Sequence, residues 1–181
     1  MNKIITQDQA EAIFRDHSHQ IYRAALFLTK SPTLADDITQ DTFMQVFRKY
    51  HSYDPAKPLS PWIYKIALNI TRKTLRKQKW FFLTKEVQDN EGRNLVEEVV
   101  LKNEQDEELW KEINKLTQKS QEIIVMHYYS GLKLNEIATV LGIPLGTCKS
   151  RLNAALNALS KQLHGKNIIM ADKGDDLYGT I

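Results

Sequence analysis

The chain has few of the residues that staple folds or break helices: one cysteine, seven glycines and five prolines in 181 residues. A single cysteine excludes an internal disulfide and suits a reducing compartment. No run approaches the roughly 20 apolar residues of a membrane span, and the opening MNKIITQDQAEAIF lacks the apolar core of a secretion signal. A soluble, cytoplasmic protein is therefore expected. Strand-like alternation is absent, as are internal repeats. There is neither a phosphate-binding glycine loop nor a Ser/His/Asp arrangement, so no enzyme activity, cofactor or metal is expected.

The chain reads as helix almost throughout, with hydrophobic residues at 42%, enough for real cores. The turn formers sit where helices would stop: Pro32, Pro55, Pro58, Pro61, Gly92, Gly131, Gly142 and Pro144. Residues 81–103 have the weakest periodicity and a polar DNEGRN centre. The organisation expected is all-α: a helical domain over 1–80, a flexible acidic linker over 81–103, a second helical domain over 104–164 and a tail over 165–181.

Net charge is only +3, but its distribution is uneven. Between Trp62 and Trp80 lie Lys65, Arg72, Lys73, Arg76, Lys77 and Lys79 with no acid, and the segment from Glu86 to Glu112 is strongly acidic. From Pro144 to Lys166 the charged residues are again all basic. Two basic blocks around an acidic one suggest two DNA-facing modules with a connector.

Residues Asn135 to Leu159, NEIATVLGIPLGTCKSRLNAALNAL, have the pattern of a helix-turn-helix DNA reader. Ile137, Val140 and Leu141 share one helix face, Ala138 permits close approach, Gly142 turns the chain, and Pro144 suits the opening of the next helix. On that second helix Leu145, Cys148, Leu152, Ala155 and Leu159 form an inward stripe. Gly146, Thr147, Ser150, Asn153, Ala154 and Asn157 fall outward, with Lys149 and Arg151 on the shoulders. Small polar groups flanked by cations can address base edges and phosphates, whereas an ordinary solvated hairpin would show the same periodicity without the docking pattern.

In SPTLADDITQDTFMQVFRKY, Ser31 or Thr33 can cap a helix whose inner face carries Ala35, Thr42, Phe43, Val46, Phe47 and Tyr50. Asp37, Gln40, Asp41, Met44 and Arg48 face the other way. Asp37 and Asp41 lie one turn apart and repel by a few tenths of a kcal/mol, which the N-terminal helix dipole partly offsets. The patch suits a basic partner, or is a solvated helix start. The following helix, SPWIYKIALNITRKTLRKQKW, opens at Ser60 and Pro61 and has Ile63, Ile66, Ala67, Ile70 and Thr74 as its expected buried stripe. Opposite it, Lys65, Asn69, Arg72, Arg76 and Lys79 form a cationic ridge about 20 Å long. The loop before it holds His51 and Tyr53, with Trp62 just beyond. Aromatics beside cations suit unstacked single-stranded bases, although each aromatic alone also fits a core position.

Three features look functional but read as structural. Cys148 lies on the inward stripe as a small apolar residue; His17 and His19, two apart on a helix, face different ways and read as solvated; Met126, Tyr128 and Tyr129 read as core of the second domain.

Taken in order, LADDITQDTFMQVF, PWIYKIALNITRKTLRK, the acidic linker and EIATVLGIPLGTCKSRL resemble the extracytoplasmic function (ECF) sigma factors of the sigma-70 family. The resemblance spans residues 10–164 and implies sigma domains two and four joined by a flexible linker. It implies that Asp37, Gln40 and Asp41 contact the clamp helices of the largest subunit of core RNA polymerase. It further implies that Lys65, Asn69, Arg72, Arg76 and Lys79, with Trp62 and Tyr53 beside the 51–60 loop, grip the minus 10 element and capture a flipped base. Thr147, Lys149, Ser150, Arg151 and Asn153 would then read the minus 35 element of the promoter DNA. An anti-sigma factor is the implied inhibitor, and no small-molecule substrate is implied. The chain departs from the pattern at Leu116 to Gln121, LTQKSQ, where the family's LPxxxR loses its proline and arginine, and at Ala154, Ala155 and Asn157, which replace a basic continuation. Lys133 stands where a capping Ser or Thr is frequent. The rival expectations are a dimeric helix-turn-helix regulator with a ligand-sensing N-terminal half, and a helical adaptor with no salt-dependent DNA affinity.

Overall fold

The computed structural model describes residues 5–84 and 104–164. Seven α-helices are present among them: α1 (Gln7–Thr29), α2 (Pro32–Lys49), α3 (Leu59–Thr84), α4 (Glu104–Lys115), α5 (Gln118–Ile124), α6 (Leu134–Leu141) and α7 (Leu145–His164). A 3-10 turn over Tyr50–Ser52 follows α2, and a π-helical turn over Val125–Tyr129 extends α5. No strand occurs among the described residues. The all-α expectation therefore holds. α3 extends to Thr84, into the stretch read as linker, and 85–103 and the 165–181 tail lie outside the described residues.

Local chemistry sets the helix ends. Thr6 and Gln9 form a reciprocal capping box that starts α1, with the Gln9 N–H donating to Thr6 Oγ1 and the Thr6 N–H donating to Gln9 Oε1. Of the two candidate caps for α2 the structure selects Ser31, whose hydroxyl oxygen accepts from the Leu34 N–H, while Pro32 takes the first helical position. Thr33 lies inside the helix. α3 begins at Leu59, so Ser60 and Pro61 occupy its first turn rather than its cap. A missing proline N–H is tolerated there because the opening N–H groups have no partner within the helix.

The first core joins α1, α2 and α3 through Ile13, Ile21, Ala25, Ala35, Ile38, Phe43, Val46 and Ile63. The second joins α5, α6 and α7 through Ile123, Ile137, Val140, Cys148, Leu152, Ala155 and Leu159. Each fully buried aliphatic side chain contributes roughly 1.5–3 kcal/mol before entropy is counted. The two cores also meet. Phe27 of α1 packs on Trp110 of α4 with ring centroids 4.1 Å apart and on Tyr129 at 5.5 Å. α3 packs on α6, and α1 on the π-helical turn.

This contact explains why the buried stripe of α3 differs from expectation. Tyr64, Ala67, Leu68 and Thr71 are buried with Ile63, whereas Ile66, Ile70 and Thr74 are only half-buried. The stripe is rotated because Tyr64, Ala67, Leu68 and Thr71 line a cleft with Glu122, Val125 and Met126 of the second domain. The tyrosine pair also departs from expectation. Met126 is buried, but Tyr128 is 56% exposed, edge-on to His127, and Tyr129 lies between the domains. Leu145, the first residue of α7 and the head of its inward stripe, is 41% exposed, unlike the rest of the stripe.

Candidate nucleic-acid interface

The helix-turn-helix is α6, a three-residue turn and α7. Gly142 ends α6 at φ 67°, a left-handed backbone that glycine adopts without strain, and its N–H reaches the Thr139 carbonyl. Ile143 N–H then returns to the Ala138 carbonyl at 3.0 Å, which fixes the angle at which α7 departs. At the start of α6, the Glu136 carboxylate accepts from the Lys133 N–H at 2.8 Å, one half of a capping box that needs no hydroxyl from residue 133.

α7 buries Cys148, Leu152, Ala155 and Leu159, which turns Lys149, Ser150, Asn153, Ala154 and Asn157 to solvent, with Thr147 and Arg151 half-exposed. Thr147, Lys149, Ser150, Arg151 and Asn153 thus share one accessible side of one helix. The Ser150 hydroxyl donates to the Thr147 carbonyl at 3.0 Å, leaving its lone pairs outward. Cys148 is fully buried, and burial pushes its thiol pKa up against the opposing pull of Arg151.

On α2, Asp37, Gln40, Asp41, Met44 and Arg48 are all exposed, and Met44 is 62% exposed. No ion pair reaches Asp37 or Asp41 among the described residues. The inner face, with Ala35, Ile38, Thr42, Phe43 and Val46, is buried. The buried hydroxyls of Thr39 and Thr42 donate to the carbonyls one turn earlier, Ala35 and Ile38, so this face carries no unmatched threonine.

The loop before α3 is built on a chain of rings. Tyr53 lies 5.8 Å from Tyr50 and 5.2 Å from Trp62, and its hydroxyl donates to the Lys57 carbonyl. Asp54 tightens the turn by accepting from the Ala56 N–H at 3.1 Å. Tyr53 and Trp62 are half-buried, so each has one side packed and one side open. Burial first, then Tyr50 and Asp54, raises the Tyr53 pKa, and the phenol stays neutral near pH 7.

The cationic ridge is continuous in four of its five positions. Lys65, Asn69, Arg76 and Lys79 are exposed. Arg72 is turned aside: its Nε and one terminal nitrogen donate to the two carboxylate oxygens of Glu122 at 2.9 and 2.6 Å. Glu122 is 2% exposed, whereas the Arg72 side chain keeps 35%. The hydrogen bond to Glu122 holds the guanidinium pKa above its ordinary value, against the effect of burial. Local spacing identifies every ridge residue but not this acid. Its signal was an ionisable residue at the head of the apolar run Ile123 to Met126, which predicts a buried partner of opposite charge.

His17 is half-buried rather than solvated, and burial lowers its pKa despite the neighbouring Asp16; His19 is exposed. Among the described residues no group of three or more His, Cys, Asp or Glu is placed to hold a metal ion, and no helix is long and apolar enough to cross a membrane.

Two helical modules, a three-helix unit with a cationic helix and a helix-turn-helix unit, define a two-part DNA-binding architecture. Residues 13–81 match the sigma-70 region 2 family, and residues 106–159 match sigma-70 region 4. The chain belongs to the sigma-70 family, among its extracytoplasmic function members. It is 32% identical to the ECF RNA polymerase sigma factor SigW of Bacillus subtilis over 87% of this chain and 90% of that one. It is 28% identical to SigM of the same organism, over 87% and 96%. The same fold occurs in CnrH, solved in complex with the cytosolic domain of CnrY, with TM-score 0.69, 24% identity and coverage of 89% and 91%. It occurs again in RpoE of Bartonella quintana, solved with the anti-sigma factor NepR, with TM-score 0.69, 22% identity and coverage of 86% and 97%.

Proposed function

We propose that this chain is an alternative sigma factor that binds core RNA polymerase, recognises a bipartite promoter and starts DNA melting without performing catalysis itself. The observation that carries this is the pairing of two matched modules, region 2 over 13–81 and region 4 over 106–159, in one chain. A regulator that binds operator DNA alone has no use for the first module.

The division of labour follows the chemistry of each face. Asp37, Gln40 and Asp41 offer hydrogen-bond acceptors to a basic surface of the polymerase clamp helices. Lys65, Asn69, Arg76 and Lys79, joined by Arg72 when it is free, track the phosphates of the minus 10 element. Tyr53 and Trp62 lend stacking surface to an unstacked base. Stacking is worth about 1–3 kcal/mol per base, comparable with the few kcal/mol that flipping a base costs, so melting requires no hydrolysis. Thr147, Ser150 and Asn153 address base edges of the minus 35 duplex, while Lys149 and Arg151 reach phosphates. With Ala154 and Asn157 exposed in place of a basic continuation, and Ala155 buried in the core, α7 grips phosphate weakly and depends on the first domain. The protein acts in the cytoplasm and is held inactive by an anti-sigma factor, a reading supported by the solved complex of RpoE with the anti-sigma factor NepR.

Co-elution of the chain with purified core polymerase tests the first step. The wild type elutes as a stoichiometric complex and Asp37→Arg does not. Separate elution of the wild type would overturn the reading.

A further inference from the structure

Arg72 has two claimants. On the reading of α3 as the minus 10 helix, its guanidinium faces phosphate; in the structure it is committed to Glu122 in the other domain. A guanidinium presents a planar fork, and the edge formed by Nε and one terminal nitrogen is fully used by the two Glu122 oxygens at 2.9 and 2.6 Å. Glu122 is 2% exposed and receives one further hydrogen bond, from Gln118 Nε2 at 3.2 Å. Enclosing a carboxylate costs solvation, which the facing guanidinium offsets. Around the pair the contact is apolar: Phe27 on Trp110 and Tyr129, and Tyr64, Leu68 and Thr71 against Val125 and Met126.

We propose that the Arg72–Glu122 pair is an autoinhibitory latch: it clasps the two domains of the free chain together and withholds Arg72 from DNA until promoter binding on polymerase separates them. The inference rests on the sigma reading of α3. Glu122 and phosphate compete for the edge formed by Nε and one terminal nitrogen, so DNA binding through that edge and domain closure are linked, and each weakens the other by the same factor. The apolar contact gives closure its extent, and the ion pair ties it to the nucleic-acid face. Anionic phosphate is the competing ligand that can replace the Glu122 carboxylate on the same fork.

The test uses the full-length chain and a fluorescein-labelled, mixed-sequence 15-nucleotide single-stranded DNA at low salt. Glu122→Gln removes the competing charge and leaves Arg72 in place. It is expected to bind the oligonucleotide about 5–10 fold more tightly than wild type and to show a larger radius of gyration by small-angle X-ray scattering. Tyr129→Ala, which loosens the contact away from the ridge, is expected to move both readouts in the same direction and serves if Glu122→Gln does not fold. Arg72→Ala in the Glu122→Gln background returns affinity to the wild-type level or below. Unchanged affinity and unchanged radius in both single variants would overturn the latch. Failure of the wild type to direct transcription with core polymerase would instead overturn the sigma reading, so the two failures are separable.

Discussion

The side-chain amide of Gln121 closes on the carbonyl of Leu116 at 3.0 Å. The same nitrogen also reaches the carbonyls of Asn114 at 3.1 Å and Ile113 at 3.2 Å. They lie in the last turn of α4 and at the residue that follows it, where backbone carbonyls run short of helical partners, although the Ile113 carbonyl also accepts from the Leu116 N–H. Gln121 stands at the position of the family's arginine, and Thr117 at that of its proline. Thr117 caps α5 by accepting from the Ser120 N–H. The substituted motif therefore keeps its structural work with different groups. Gln121→Ala is expected to lower stability by about 1–3 kcal/mol, because it removes the donor that reaches the part-buried Asn114 and Leu116 carbonyls. Gln121→Arg, with its fork of donors, is expected to cost less. Urea unfolding of the two variants checks the order, and equal losses would contradict it.

Asp37→Arg and Arg76→Ala separate two faces. Asp37→Arg is expected to weaken core binding while leaving DNA contacts intact. Arg76→Ala is expected to weaken open-complex formation more than core binding, by an amount on the order of 1 kcal/mol for one phosphate contact. Arg76 is the cleaner ridge variant, since Arg72→Ala also strands the buried Glu122 charge. Core affinity and permanganate footprinting of melted thymines give the two readouts. Equal effects of both variants on core binding would contradict the division.

Tyr64 makes stability sensitive to alkali. It is buried in the cleft between the domains, and desolvation pushes its pKa from 10.0 to about 12. Ser130 pulls in the opposite direction, yet the Ser130 hydroxyl donates to the Val125 carbonyl and the Tyr64 oxygen has no partner of good geometry. Between pH 10 and 12 the unfolded phenol releases its proton while the folded one retains it. Stability is therefore full below pH 10 and falls by about 2–3 kcal/mol as pH rises to 12. Tyr64→Phe is expected to flatten that part of the profile at little cost near pH 7, as thermal unfolding against pH would show.

His17 acts at the other end of the scale. Its folded pKa lies below the ordinary 6.5, burial outweighing Asp16, so the unfolded chain binds protons more readily. The contribution to stability is intact above pH 6.5 and is lost as pH falls below it. His17→Gln is expected to reduce the loss between pH 7 and 5, measured by thermal unfolding.

Cys148 is expected to resist alkylation in the native state. Its thiol is fully buried and its pKa is raised, so iodoacetamide at pH 7.5 should label it only as the domain unfolds. Rapid labelling of the folded protein would show that α7 leaves its domain more freely than its packing implies.

Much of this was legible in the sequence because each element carries a local signal. Gly142 and the spacing of Ile137, Val140, Cys148, Leu152 and Ala155 define the helix-turn-helix, and the outward set on α2 follows from period alone. What was not legible is non-local. The buried stripe of α3 rotates toward Tyr64, Leu68 and Thr71 because a second domain covers them. Tyr129 and Trp110 leave their own core to meet Phe27 for the same reason. The pairing of Arg72 with Glu122 joins residues fifty positions apart, and no periodicity within α3 distinguishes it from its exposed neighbours on the ridge. Local spacing revealed the faces, and only the packing revealed which of them oppose each other.

The most direct test of the central claim is transcription from fragmented genomic DNA of the source organism by core RNA polymerase, with and without the purified chain, followed by mapping of transcript 5′ ends. The account predicts discrete start sites that appear only with the chain, share two upstream motifs at fixed separation and are lost with Asp37→Arg. A folded chain that binds core and yields no such start sites would contradict it.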